Sequence, residues 1–243
     1  MNEQRFELAG DPAQGDPPSP ALAIVPPHAR RGVVVIHEIF GPSPEVDRVV
    51  ARLAKEGYAA IAPDLFFRGK LACIRAVFAA AKRGDDVAPV RQAVRARDWL
   101  TRQAGIPKER IAIIGFCFGG GFALVAGKHF GVVSANYGTT PELAALKGIA
   151  PTIGCYGGRD HSMRGQDRLL KERLTTLGVE HEIFKPEDAG HAFLTDGNRP
   201  VASFFTWPLM HVKIDPENAE AGWQRILRFF DEHLSERAEI QAE

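Results

Sequence analysis

Residues 115–121 read Gly-Phe-Cys-Phe-Gly-Gly-Gly and directly follow the apolar run Ile111-Ala112-Ile113-Ile114. A buried strand that runs into a thiol spaced by glycines has the form of a nucleophile elbow. In that turn a sharp strand-to-helix bend lifts one side chain above a sheet. Glycines suit it because the backbone is too crowded for a Cβ. A nucleophilic Cys117 needs a base and a group to orient that base, and an elbow of this kind expects the order nucleophile, acid, His. Asp160 in Gly157-Gly158-Arg159-Asp160 and His191 in Ala189-Gly190-His191-Ala192-Phe193 stand in that order. His191 would move the proton, worth about 10²–10⁴-fold, and Asp160 would hold its tautomer. Asp188 is the rival acid, but it reads as a turn residue. Glu38 in Val35-Ile36-His37-Glu38-Ile39-Phe40-Gly41 places a carboxylate where a strand ends. The backbone N–H groups of Ile39 and Phe118 could form an oxyanion hole, each donor worth roughly 10²–10³ in rate.

These residues need a scaffold that brings strand ends together, and the hydrophobic pattern supplies one. Gly32–His37 is a β-branched run that reads as a buried strand. Further strands are expected over 58–63, 110–115, 132–137, 152–157 and 180–185. Between them, helices are expected over 44–56 (Ser43-Pro44 at its start, Gly57 at its stop), 71–82, 87–103, 119–128 and 166–177. A closing helix capped by Asp215-Pro216 carries Ala219, Trp223, Ile226, Phe230 and Leu234 on one face. Strands alternating with helices predict an α/β fold, a doubly wound and mostly parallel sheet with helices on both faces. In such sheets ligands bind at the carboxyl ends of the strands, where Glu38, Cys117, Asp160 and His191 all fall. Residues 1–31 should supply edge strands, with Asp16-Pro17-Pro18-Ser19-Pro20 as the turn between them. The whole chain, 1–243, is expected to be one domain with a frayed tail over 235–243. Whether 66–86 folds over the site as a small lid is not determined by the pattern.

Thirty Lys+Arg against thirty Asp+Glu give a formal net charge of zero. That gives no electrostatic argument for nucleic acid or an anionic membrane surface. No stretch reaches the roughly 18 consecutive apolar residues of a spanning helix, and the polar N-terminus lacks a secretory pattern. Three widely spaced cysteines argue against a disulfide framework, so a cytoplasmic protein is expected. Cys73, on an amphipathic helix, and Cys155, inside a strand, read as small core hydrophobes. No metal-ligand spacing and no phosphate-loop Lys-Ser/Thr occurs, so neither metal nor cofactor is expected.

In order, His37-Glu38-Ile39-Phe40-Gly41, Ala62-Pro63-Asp64-Leu65-Phe66, the Cys117 elbow, Gly157-Gly158-Arg159-Asp160 and Gly190-His191-Ala192-Phe193 together resemble the dienelactone hydrolase family. This is a branch of the α/β-hydrolases without a large cap domain. The resemblance implies a Cys117–Asp160–His191 triad, with Glu38 contacting the resting thiol and helping to hand over its proton. It implies hydrolysis of a small-molecule carboxylic ester or lactone through a thioester acyl-enzyme, by a monomer or small homo-oligomer. A thioesterase, a broad small-ester hydrolase, or a catalytically weak scaffold of the same fold are the alternatives. Phe40, Phe66, His161, Phe193 and Arg199 are candidate pocket residues; His37 and His161 each adjoin a proposed site residue, and His211 could reach the pocket. Two departures separate the chain from dienelactone-hydrolysing relatives. Thr195 stands where they place a substrate-binding arginine, and a second arginine could be Arg68, Arg75 or Arg83.

Overall fold

The structure is a computed structural model and describes residues 3–195, 209–212 and 215–235. Among these residues eight strands form a single sheet: β1 (Glu3–Leu8), β2 (Ser19–Ile24), β3 (Gly32–Ile36), β4 (Ala59–Pro63), β5 (Ile111–Phe116), β6 (Val132–Asn136), β7 (Thr152–Cys155) and β8 (His181–Phe184). Their order is β1-β2-β4-β3-β5-β6-β7-β8. β2 pairs antiparallel with β1 and β4, and every other pairing is parallel. Every residue of β3 to β7 is buried, which is why these strands read as unbroken apolar runs rather than alternating ones.

The helices are α1 (Pro44–Lys55), α2 (Lys70–Arg83), α3 (Ala88–Ala104), α4 (Phe118–Ala126), α5 (Gln166–Thr176) and a closing helix, Pro216–His233. Alternate residues of one strand feed opposite cores. Val34 and Ile36 face Val77, Ala93, Phe122 and Leu170 from α2 to α5. Val33 and Val35 face Val49 and Leu53 of α1 and Trp223, Ile226 and Phe230 of the closing helix. This is the α/β-hydrolase architecture, and among the described residues no large cap domain interrupts it. No helix among the described residues is long and apolar enough to cross a membrane.

The strand order reverses between β3 and β5. After β3 the chain winds toward one sheet edge, and after β5 toward the other. The gap left between their carboxyl ends is the switch point where such sheets bind ligands. Register sets what meets there. Ile36 pairs with Gly115, so Glu38 and Cys117, each two residues further on, emerge level with one another. Phe116 pairs with Asn136, which puts Tyr137 beside Cys117.

Expected and observed elements agree to within about two residues, with two informative differences. The helix expected to Lys128 stops at Ala126 and tightens into a 3-10 turn over Gly127–His129. Here a Cβ on Gly127 would come within 2.7 Å of Ile149 and Val133 side chains. The Pro-rich stretch is only partly a turn, because Ser19 and Pro20 already belong to β2. Its Asp16 is buried and takes Arg91 at 2.9 Å, Arg95 at 3.0 Å and Arg68 at 3.2 Å. One acid thus ties the β1–β2 hairpin to α3 and to the loop before α2. The tail over 236–243 lies outside the described residues.

Candidate active site

The elbow is built by exclusion of side chains. Cys117 sits at φ 54°, ψ −116°, in the positive-φ region that non-glycine residues rarely occupy. Its N–H donates to Asn136 O at 3.0 Å, while Gly120 N–H donates back to Cys117 O at 2.9 Å. A Cβ on Gly115 would lie 1.9 Å from Gly119 O, and one on Gly119 would lie 2.6 Å from His37 O. So the glycines let the elbow close on itself and let α4 start against the end of β3. The thiol is half-buried at that start, where the first N–H groups of a helix lack intrahelical partners and favour negative charge.

Asp160 and His191 reach the thiol from the ends of β7 and β8. Asp160 Oδ1 accepts Ser162 N–H at 3.0 Å and the Ser162 hydroxyl, leaving Oδ2 for His191 Nδ1 at 2.5 Å. Both residues are buried. Close approach of backbones permits this: a Cβ on Gly157 would meet Gly190 O at 2.4 Å, and one on Gly190 would meet His211 O at 1.8 Å. His191 N–H donates to Met210 O at 2.7 Å, so the 209–212 segment pins the histidine turn. Nε2 of His191 is buried with no nitrogen or oxygen partner and is left for Cys117. Burial by itself would lower the basicity of this ring. The Asp160 carboxylate and the thiolate form of Cys117 more than offset it, and the imidazole is pushed up from 6.5 to about 10. Asp188 is elsewhere, accepting Asn218 Nδ2 at 2.9 Å and bracing the closing helix.

Glu38 is buried at the end of β3. The turn that carries it is held by His37, 1% exposed, whose Nε2 accepts Leu65 N–H at 3.1 Å. Its proton therefore resides on Nδ1, which donates to Glu38 O at 2.8 Å. His37 thus links the ends of β3 and β4 behind the Glu38–Ile39 backbone. Tyr137 is a site neighbour that the motif reading passed over. Its ring centroid is 4.9 Å from that of His191. Burial and the charges of Glu38 and Cys117 raise its phenol well above the usual value. The signal that could have found it is position, one residue beyond the carboxyl end of the strand beside the elbow. Thr195 donates to Ala192 O at 3.2 Å, so Tyr137 OH donates to Thr195 Oγ1, also at 3.2 Å. The residue at the family's arginine position is thus turned into the packing behind His191.

A cavity of ≈ 180 Å³ opens beside the thiol, lined by Cys117, Ile39 and Phe118, by Val77, Phe78 and Ala81 of α2, and by Phe122 and Met163, among others. So α2, within the segment considered as a lid, forms a wall of this cavity. At the rim the Phe66 ring packs tilted against Phe118 with centroids 5.9 Å apart, and Phe40 is exposed nearby. His161 is exposed, its ring 5.2 Å from that of His211. Phe193 corrects its assignment to the pocket. It is 2% exposed, packed against Tyr137 and Phe184 below the site, because the positive φ of Ala192 turns the chain inward there. The candidate arginines are also accounted for. Arg68 is bound to Asp16, Arg83 pairs with Asp85, and Arg75 is exposed; none lines the cavity. Arg199 lies outside the described residues. Among the described residues no three His, Cys, Asp or Glu side chains converge to hold a metal.

An eight-stranded sheet of this order, with an elbow at its switch point, defines an α/β-hydrolase. Sequence comparison narrows the class. The dienelactone hydrolase family profile matches residues 20–234, and the chain belongs to that family. It is 32% identical over 246 residues to a Yersinia pestis protein named "Putative carboxymethylenebutenolidase", spanning 91% of this chain and 86% of that one. It is 27% identical over 227 residues to the carboxymethylenebutenolidase of Rhodococcus opacus, spanning 84% and 81%. The fold is shared with the crystal structure of a dienelactone hydrolase-like promiscuous phosphotriesterase from metagenomic libraries. That likeness has a TM-score of 0.72 at 21% identity and covers 96% of this chain and 99% of that one. The family places the chain among hydrolases of esters and lactones.

Proposed function

We propose that the chain hydrolyses carboxylic esters or lactones with Cys117 as nucleophile, His191 as acid and base, Asp160 as its orienter, and Glu38 as an aid to thiol ionisation. The observation that carries this reading is the buried Asp160–His191 pair, whose Nε2 is left for Cys117. The thiol proton passes to Nε2. The sulfur attacks the ester carbonyl carbon, and the oxyanion is received by Ile39 and Phe118 N–H groups, both beside the thiol. Collapse breaks the C–O bond, and Nε2–H protonates the leaving alkoxide, leaving a thioester. Nε2 then takes a proton from water, hydroxide adds to the thioester, and the thiolate departs with the acid released. Glu38 and Tyr137 lie beside this path, and Glu38 helps to hand the thiol proton over to His191. Carriage of the acyl group on sulfur favours esters with good leaving groups, which compete with loss of the thiolate. Cys117→Ala should abolish p-nitrophenyl acetate turnover and the acyl mass increment seen on rapid acid quench. Retained turnover in that variant would overturn the assignment.

A further inference from the structure

Resting on that reading of Cys117, we infer that the enzyme is selective for esters of uncharged, apolar acyl groups of roughly four to six carbons, and that α2 sets this preference through Val77, Phe78 and Ala81. The direction of the cavity identifies which half of the ester it takes. The leaving group must lie toward His191, which protonates it, and the oxyanion toward Ile39 and Phe118. The cavity is lined by those two residues and Cys117 but by neither His191 nor Asp160, so it holds the acyl chain. Its size, ≈ 180 Å³, is room for about six non-hydrogen atoms at roughly 30 Å³ each.

Its chemistry excludes charge. Among the described residues no Lys, Arg or His side chain lines it. Thr140, one of its two hydroxyl residues, gives its N–H to Gln166 Oε1 at 2.7 Å and its hydroxyl to Gln166 O at 3.1 Å, turned from the cavity. Two nearby cations are engaged elsewhere. Arg173 binds Glu142 and the Pro141 carbonyl, and Arg164 meets the His161 ring at 3.3 Å. Lys70 sits over the rim, 5.7 Å from the Phe66 ring centroid and 6.0 Å from that of Phe40. A terminal carboxylate carried into the cavity would have no cation among the described lining residues, beside Cys117 and Glu38. Such burial is strongly disfavoured. Apolar surface continues outward from the cavity: Leu71 is 76% exposed, Phe40 58% and Phe78 55%. A rim of this kind suits an apolar ligand entering. The substrate class is therefore unlike the carboxylate-bearing lactone that an arginine at position 195 would hold.

The test is kcat/KM on p-nitrophenyl acetate, butyrate, hexanoate and decanoate, with the monoester of adipic acid as the anionic match to hexanoate. From acetate to hexanoate, kcat/KM should rise by about fourfold per methylene, then stop rising at decanoate. The adipate monoester should fall at least about tenfold below hexanoate. Phe78→Arg, at an exposed site that tolerates a charge, should raise the adipate-to-hexanoate ratio about tenfold. A flat or falling profile from acetate to hexanoate overturns the inference. So does a preference for adipate, and loss of that preference in Lys70→Met or Arg199→Met would locate the missed cation. Intact-mass detection of the acyl group on Cys117 separates the two readings. Acylation with the wrong chain-length profile refutes only the selectivity. Turnover without acylation refutes the nucleophile.

Discussion

Replacing Asp160 with Asn should disable His191 without emptying the site, and the structure determines how. Asp160 Oδ1 already receives both donors of Ser162, the N–H at 3.0 Å and the hydroxyl. An amide nitrogen cannot take that place, so the Asn oxygen stays with Ser162 and its NH₂ is directed at His191 Nδ1. The ring must then accept at Nδ1 and carry its proton on Nε2, the nitrogen that should take the thiol proton. The variant therefore holds the wrong tautomer as well as lacking the charge. The rise of His191 from 6.5 to about 10 corresponds to about 5 kcal/mol favouring the imidazolium, at about 1.4 kcal/mol per pKa unit. Asp160 supplies a large part of this through its 2.5 Å contact. Loss of a working general base costs about 10²–10⁴ in rate, or about 3–5 kcal/mol of barrier, which lies within that allowance. The assay is kcat for p-nitrophenyl acetate across pH, together with the His191 ring titration by NMR. A folded Asp160→Asn protein that keeps more than a tenth of wild-type kcat, or whose His191 still titrates near its wild-type value, would refute the reasoning.

Three further outcomes follow from the same geometry. Because the folded pKa of His191 is raised above 6.5, its protonated form adds stability that is fully present below about pH 6.5 and lost as pH rises through about 10. Urea unfolding should therefore show the margin of wild type over His191→Gln shrinking across that window, and a constant margin would contradict it. Asp16→Asn should cost about 2 kcal/mol or more, since it removes the anion that Arg91 and Arg95, both mostly buried, share, leaving Arg91 only Asp86 at 3.4 Å. The Asp16 carboxyl is buried, which opposes ionisation, yet Arg91 and Arg95 hold it below the usual range. Wild type should accordingly lose this advantage only as pH falls below about 4, which thermal melts can test. Gly119→Ala should cost about 3 kcal/mol or more, because its Cβ would lie 2.6 Å and 2.7 Å from backbone oxygens of His37 and Ile36. An unchanged Tm would show that the elbow is looser than drawn.

The sequence by itself determined the sheet, its helices and the chain order of the elbow, Asp160 and His191. Each is written locally, in apolar runs the length of a strand and in glycines where backbones must touch. It also marked Glu38, because a strand end is visible in the pattern. What it left open depended on segments brought together from far apart. Asp160 rather than Asp188 faces His191 because Asn218, thirty residues on, takes Asp188. Arg68 is drawn from the cavity by Asp16, 52 residues earlier. Thr195 faces Tyr137 across 58 residues, and Phe193 turns into the core with it. Tyr137 and the supporting bonds of His37 became visible only through strand register. Periodicity can say that a residue is buried, but not what it is buried against. Only the packing of α2, α4 and the strand ends decided that the space beside the thiol is apolar.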